Sequence, residues 1–218
     1  MMSKATYFLL APVLFLAGAL STAQAQDAAA GEKKAAMCIG CHGIQGYQAS
    51  FPEIHKVPMI SGQSAPYTVA ALNAYKKGER KHPTMRSVAG VLSEQDMADV
   101  AAYYEQHGKT TATLPPQLPA APPAVAALLT KGACASCHGA NFSAPIDPSY
   151  PKLAGQHADY LYVALKSYQT AGNAMVGRSN AIMVGQVKQF SHAELKLMAN
   201  YLASLPSDLK TLPQSKFR

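Results

Sequence analysis

Two short runs carry the chemistry: Cys38-Ile39-Gly40-Cys41-His42 and Cys134-Ala135-Ser136-Cys137-His138. The Cys-x-x-Cys-His spacing has a covalent logic. Two thiols add to the two vinyl groups of one porphyrin, and the adjacent histidine reaches the iron from one face. The four cysteines of the chain are all used in this way. The alternatives are two redox or structural disulfides, or zinc sites. Zinc requires four ligands in a tetrahedron, and each run offers only two thiols and one neighbouring imidazole. Two copies in register argue against coincidence and point to two covalently bound haem c groups.

A histidine fills one side of each iron, so the other ligand must come from elsewhere in the same half. Met85 follows His42 by 43 residues, Met183 follows His138 by 45, and each precedes a serine by eight residues, Ser93 and Ser191. This alignment selects them over Met59, Met97 and Met198, which read as core filler, and over Met37 and Met175, which also lack a matched partner. The expected iron ligands are therefore His42, Met85, His138 and Met183. A soft thioether favours ferrous iron relative to a second imidazole and raises the potential. His55, His82, His107, His157 and His192 have no aligned counterpart and read as surface or loop residues. His82, three residues before Met85, is the one that could compete as a ligand.

Second-sphere roles follow from the same chemistry. Pro58 and Pro151 are expected to start the loop over the histidine face, where a nearby backbone carbonyl would accept the imidazole N–H. Tyr67, Tyr75, Tyr160 and Tyr168 either pack as core or turn their hydroxyls toward haem propionates.

The elements that must hold these residues are duplicated. The attachment runs repeat at an offset of 96, Pro58-Met59-Ile60-Ser61-Gly62-Gln63 matches Pro151-Lys152-Leu153-Ala154-Gly155-Gln156 at 93, and Met85, Ser93, Ala101 and Tyr103 match Met183, Ser191, Ala199 and Tyr201 at 98. The drifts read as loop insertions between fixed elements. Five of the fifteen prolines fall between Pro115 and Pro123, a run that cannot continue a helix and reads as a linker over residues 111–124. The halves are then residues 26–110 and 125–218. Residues 65–77 and 157–169 space their apolar residues at three and four, as helices do. Ser93-x-x-Asp96 has a cap-like pattern, and Ser191-x-x-Glu194 is a full capping box. Strand-like alternation is not evident, so the fold class expected is all-α. Long loops rich in Gly and Pro in so small a domain suggest wrapping around a group.

The amino terminus bears Lys4, an apolar run from Tyr7 to Leu20 and the small-residue pattern Ala23-Gln24-Ala25, which reads as a secretory signal over residues 1–25. Its apolar run is shorter than the roughly 20 residues that span a bilayer. Export and a periplasmic location follow as expectations. Without Lys4 the chain has a charge of +6, placed unevenly. Residues 26–110 hold nine basic against eight acidic residues, and residues 111–218 nine against four. The basic residues are spread singly rather than clustered with aromatics, which argues against nucleic acid.

With these residues in place, the sequence resembles the dihaem cytochrome c4 family. The matching features are both Cys-x-x-Cys-His runs, the Pro-x-x-x-Gly-Gln segments, Tyr75-Lys76-Lys77-Gly78-Glu79-Arg80, Met85, Met183 and the closing helices. The resemblance implies two tandem class I cytochrome c domains, each wrapped around its haem, with propionates facing across an internal pseudo-twofold. It also implies single-electron transfer without substrate chemistry, from a donor such as a bc1-type complex to an acceptor such as a terminal oxidase. A monomer with peripheral membrane association is compatible with it. Four ionised propionates would bring +6 to about +2 with both irons ferrous. The sequence departs from this pattern at Gln169-Thr170-Ala171-Gly172-Asn173-Ala174, which replaces the basic stretch after Tyr75 and leaves the two haem edges unequal. Two other functions compete. One is the cytochrome subunit of a periplasmic dehydrogenase, such as a sulfide-oxidising flavocytochrome. The other is a dihaem enzyme, which would need an open or unusual iron position that a methionine in each half does not supply.

Overall fold

A computed structural model of the chain describes residues 25–109 and 118–213. The signal peptide, apart from its last residue, and residues 111–117 of the linker lie outside that range.

In the first half, Asp27 caps α1 (Ala28–Lys34) by accepting the N–H groups of Ala29 and Ala30. The attachment run forms α2 (Ala36–His42). A loop with the antiparallel pair β1 (Gln48–Ala49) and β2 (His55–Lys56) leads to α3 (Ala65–Lys77). Pro66 sits in the first turn of α3, where its missing N–H costs nothing, and Gly78 ends the helix with φ 78°. Then come β3 (Arg80–Lys81), α4 (Pro83–Gly90) and α5 (Glu94–Gln106). The second half repeats the order as α6 (Pro123–Lys131), α7 (Cys134–His138), α8 (Ala158–Gln169), β4 (Gly177–Arg178), α9 (Ala181–Val187) and α10 (His192–Ser204). Pro123 and Ala124, assigned to the linker from sequence, already lie in the first turn of α6.

The helical expectation holds, with one addition. The strands are two residues each, too short to carry an alternating pattern, and one pair has an architectural role. β3 pairs antiparallel with β4, with Arg80 opposite Arg178 and Lys81 opposite Gly177, so a ribbon ties one half to the other. Both closing helices start with complete capping boxes. Asp96 performs at the third helical position of α5 what Glu194 does in α10, although its sequence pattern looked weaker.

Each half folds its first helix against its last, α1 on α5 and α6 on α10, while α3 and α8 pack on those same closing helices. The second half buries Phe142, Leu161, Leu202 and Leu205 together, with Val187, Phe190, Leu195 and Met198 beside them. Each such side chain contributes about 1.5–3 kcal/mol when fully buried. The first half has smaller clusters: Leu72, Ala89, Leu92 and Met97, then Ala35, Val100 and Tyr104. Met97 and Met198 are thus core filler, as expected. Past α10 the chain returns to the first half, where Lys210 N–H donates to Ser61 O at 3.1 Å. Ion pairs Lys166–Glu53 at 2.7 Å and Lys56–Asp159 at 3.4 Å also cross between the halves. Among the described residues no helix is long and apolar enough to cross a membrane.

Candidate functional site

Helical spacing sets the attachment residues. In α2 and α7 the two cysteines stand three residues apart, on one face of a turn. The thiols form no disulfide. Burial pushes the Cys38 thiol up to about 11 and also raises that of Cys134. A redox Cys-x-x-Cys depends on a depressed thiol pKa, so the disulfide-exchange reading finds no support here. Nor, among the described residues, do three His, Cys, Asp or Glu side chains converge as a metal site, which leaves zinc without a ligand set.

The loop after each attachment run returns to hold the histidine. His42 Nδ1 donates to Pro58 O at 2.8 Å, and His138 Nδ1 to Pro151 O at 3.1 Å. The expected carbonyls thus belong to Pro58 and Pro151 themselves. With Nδ1 engaged in this way, Nε2 of each ring is left to bind a metal. Burial lowers the pKa of both imidazoles against the opposing pull of these carbonyls. The neutral form, the one that donates a lone pair to a metal, is favoured.

The methionines are placed by caps. His82 Nδ1 accepts the Met85 N–H at 3.4 Å at the start of α4, and Asn180 Oδ1 accepts the Met183 N–H at 3.1 Å at the start of α9. Each methionine therefore sits third in its helix, after a capping residue that repeats at the offset of 98. His82 has a local structural task, and its ring lies edge-on to Phe51 at 5.9 Å. His55 departs from its surface assignment: it is buried, and its Nδ1 donates to Glu53 O at 2.8 Å. His107 stacks on Tyr103, His157 immediately precedes α8 without a side-chain capping bond, and His192 begins α10.

All eight expected residues line one continuous cavity of about 940 Å³ shared by the two halves: Cys38, Cys41, His42, Met85, Cys134, Cys137, His138 and Met183. The ribbon of β3 and β4 brings Arg80 and Arg178 into its wall. Arg80 donates to Tyr67 OH at 3.3 Å and to Tyr160 OH at 3.2 Å, and Arg178 to Tyr160 OH at 3.2 Å. Tyr75 offers its ring to Arg80 at 4.6 Å, and Tyr168 offers its ring to Arg178 at 5.5 Å. The four tyrosines thus meet arginines: two through hydroxyls and two through ring faces. Burial raises the Tyr67 phenol to about 12. The same burial acts on Tyr160, but Arg178 and Arg80 outweigh it and bring that phenol down to about 8. Arg80 Nε is buried with no partner.

A buried Arg80 whose Nε has no partner, facing a half-buried Arg178, calls for anionic partners, because an uncompensated buried charge costs several kcal/mol. A porphyrin tethered by its vinyls and bearing two carboxylates fits this wall, the thiols, the neutral histidines and the thioethers. Arg178 also repairs the difference expected from the neutral stretch after Tyr168. It arrives five residues later than Arg80 does after Tyr75, yet faces it. Sequence reasoning passed over Arg178, although the offset of 98 that aligned Met85 with Met183 aligns Arg80 with Arg178 equally well.

Known proteins resemble this arrangement. The Cytochrome c family model matches residues 28–107 and 124–206. Cytochrome c4 of Azotobacter vinelandii is 31% identical over 194 residues, covering 83% of this chain and 90% of the relative. A thiosulfate dehydrogenase electron acceptor of Stutzerimonas stutzeri is 30% identical over 212 residues, covering 89% of this chain and 94% of its own. The crystal structure of reduced recombinant cytochrome c4 from Pseudomonas stutzeri superposes with a TM-score of 0.60 at 28% identity, over 84% of this chain and 100% of that one.

Proposed function

The chain belongs to the cytochrome c family, among the dihaem cytochrome c4 proteins, and from that premise we propose that it is a periplasmic shuttle taking single electrons from a bc1-type complex to a terminal oxidase. It has two tandem cytochrome c domains with two covalently bound haem c groups, and it is an electron carrier rather than an enzyme.

In this reading Cys38 and Cys41 would hold one haem and Cys134 and Cys137 the other, with His42 and Met85, and His138 and Met183, as the residues that would bind the two irons. The haems supply one-electron iron couples whose potentials the axial ligands set. Pro58 O and Pro151 O fix the imidazole rings, so that little rearrangement accompanies a change of iron charge. Met85 and Met183 place both couples at the oxidising end of a chain. Arg80 and Arg178 would hold and neutralise haem carboxylates at the wall shared by the two domains. Exposed Lys131, Lys188 and Lys196 of the second half meet an acidic partner through screened, transient contacts.

The observation that carries this reading is a histidine and a methionine from each half on the wall of one cavity. The test is stopped-flow oxidation of the reduced holoprotein by oxidase-containing membranes over a range of ionic strength. Fast oxidation that slows with salt is expected. Failure to reduce the oxidase would overturn the acceptor assignment, and insensitivity to salt would overturn the docking assignment.

A second reading rests on the similarity to the thiosulfate dehydrogenase electron acceptor. In it, the chain serves a periplasmic dehydrogenase as a stable cytochrome subunit, as in a sulfide-oxidising flavocytochrome. Size exclusion of native extract separates the two: a monomer near the chain's own mass supports the shuttle, and a larger flavin-containing complex supports the subunit.

A further inference from the structure

The Gly-Gln pairs at 62–63 and 155–156 contribute nothing to the ligand sets, yet both glutamines are 4% exposed and both reach out of their own domain. Gln156 Oε1 accepts the Met59 N–H at 3.0 Å, and its Nε2 donates to Met59 O at 2.8 Å. Gln63 treats Lys152 in the same way: its Oε1 accepts the Lys152 N–H at 3.0 Å and its Nε2 donates to Lys152 O at 3.1 Å. Met59 and Lys152 are counterparts at the offset of 93, so the two contacts exchange with the halves. Each oxygen also accepts the N–H of the next residue, Ser64 or His157, at 3.0 Å, which fixes the orientation of the amide.

The target of each glutamine is significant. Met59 N–H and Pro58 C=O are the two ends of a single peptide group, and Pro58 O accepts from His42 Nδ1 at 2.8 Å. Lys152 N–H and Pro151 C=O are likewise one group, and Pro151 O accepts from His138 Nδ1 at 3.1 Å. One conjugated amide therefore stands between each histidine and a glutamine of the opposite half. Donation from the N–H end moves charge toward the oxygen and makes the carbonyl a stronger acceptor. A stronger acceptor draws on the Nδ1 proton and makes Nε2 a more basic ligand, which favours ferric iron.

We propose that Gln156 and Gln63 are cross-domain positioning residues, each setting through one peptide group the ligand strength of the axial histidine in the other half, and with it that haem's potential. The inference rests on the reading of His42 and His138 as axial ligands. It makes the glutamines the elements by which one domain tunes the iron of its neighbour. Loss of a glutamine should raise the potential of the haem across the interface and spare the haem in its own half.

The test is a haem-resolved NMR redox titration of the full holoprotein carrying Gln156→Met or Gln63→Met, substitutions of similar length without an amide. Gln156→Met is expected to shift the His42 haem toward the reduced form by about threefold, or ~28 mV at 59 mV per tenfold for one electron, with little change at the His138 haem. Gln63→Met should give the mirror image, and either variant alone suffices. In the same variants the Nδ1 proton of the opposite histidine should exchange faster with solvent. Lys166→Met loosens the interface at Glu53 without touching either peptide and should leave both haems near their original values. Equal shifts at both haems, no shift, or the crossed pattern appearing in Lys166→Met would overturn the inference. The hyperfine-shifted ring protons of His42 and His138 in the NMR spectrum of the oxidised parent protein separate the two failures. If those shifts are absent, the ligand reading falls; if they are present without crossed potential shifts, only this inference falls.

Discussion

The two halves set the same residues around a common cavity but close their first helix on their last by different physics. In the N-terminal half the contact of α1 with α5 is polar. Lys34 bonds Asp96 at 2.7 Å and Asp99 at 2.8 Å, while Asp99 also accepts the Asp27 N–H at 3.0 Å and a Gln95 amide at 2.7 Å. At the offsets of 96 and 98, Thr130 stands for Lys34 and Leu197 for Asp99, so among the described residues no such clasp joins α6 to α10. It relies instead on the larger Phe and Leu clusters against α10. An iron site thus needs its immediate surroundings reproduced, whereas the helix pair behind it can be held by any means of adequate strength.

The comparison is broken most severely by Gly31→Ala. A Cβ at Gly31 would lie 2.0 Å from the Asp99 carbonyl oxygen, a backbone collision with no flexible group to yield. We expect a loss of about 3 kcal/mol, at the upper end of overpacking costs, seen as a lower denaturant midpoint for the N-terminal half. The corresponding position, Ala127, already carries a Cβ.

Asp99→Ala should cost about 2 kcal/mol, because it removes a buried carboxylate that accepts from the Asp27 N–H, the Gln95 amide and Lys34 together. Its counterpart Leu197→Ala, at a side chain 47% exposed, should remain within about 0.5 kcal/mol. Paired urea titrations measure both, and equal losses would erase the distinction between the halves. The capping serines sharpen the comparison from the other side. Ser93→Ala and Ser191→Ala remove equally complete boxes, so each should cost about 1 kcal/mol.

Acid should separate the halves with a smaller effect at ordinary pH. Hydrogen bonds from Lys34 hold the Asp96 and Asp99 carboxyls below the usual carboxylate range. A depressed carboxylate stabilises the fold above its unfolded pKa and loses that contribution as pH falls through the folded one. Below about pH 4, amide exchange in α1 should accelerate before exchange in α6.

Much of this was legible in the sequence because covalent and ligand chemistry demands particular residue types at fixed spacings. The attachment runs, Met85 with Met183, and the proline carbonyls all satisfied that demand and repeated at constant offsets. The less legible features were contacts between halves. The ribbon joining Arg80 to Arg178 is two residues long on each side and produces no alternation. Gln63 and Gln156 were visible as repeated residues, but their partners are backbone atoms 89 and 97 positions away, which side-chain identity does not encode. His82 stood out in the sequence only by lying three residues before Met85; its role as a cap acceptor, shared with the aligned Asn180, needed the backbone of α4 to become visible. The clasp of Lys34 with Asp99 has no counterpart in the repeat and so produced no signal.

The most direct measurement of the central claim is the near-red charge-transfer band of the oxidised holoprotein, recorded for the parent, Met85→Ala and Met183→Ala. The account predicts about half the parent intensity in each single variant and none in the double variant. A band of full intensity in either single variant would show that its iron takes its sixth ligand from elsewhere, contradicting the pairing of one histidine with one thioether in each half.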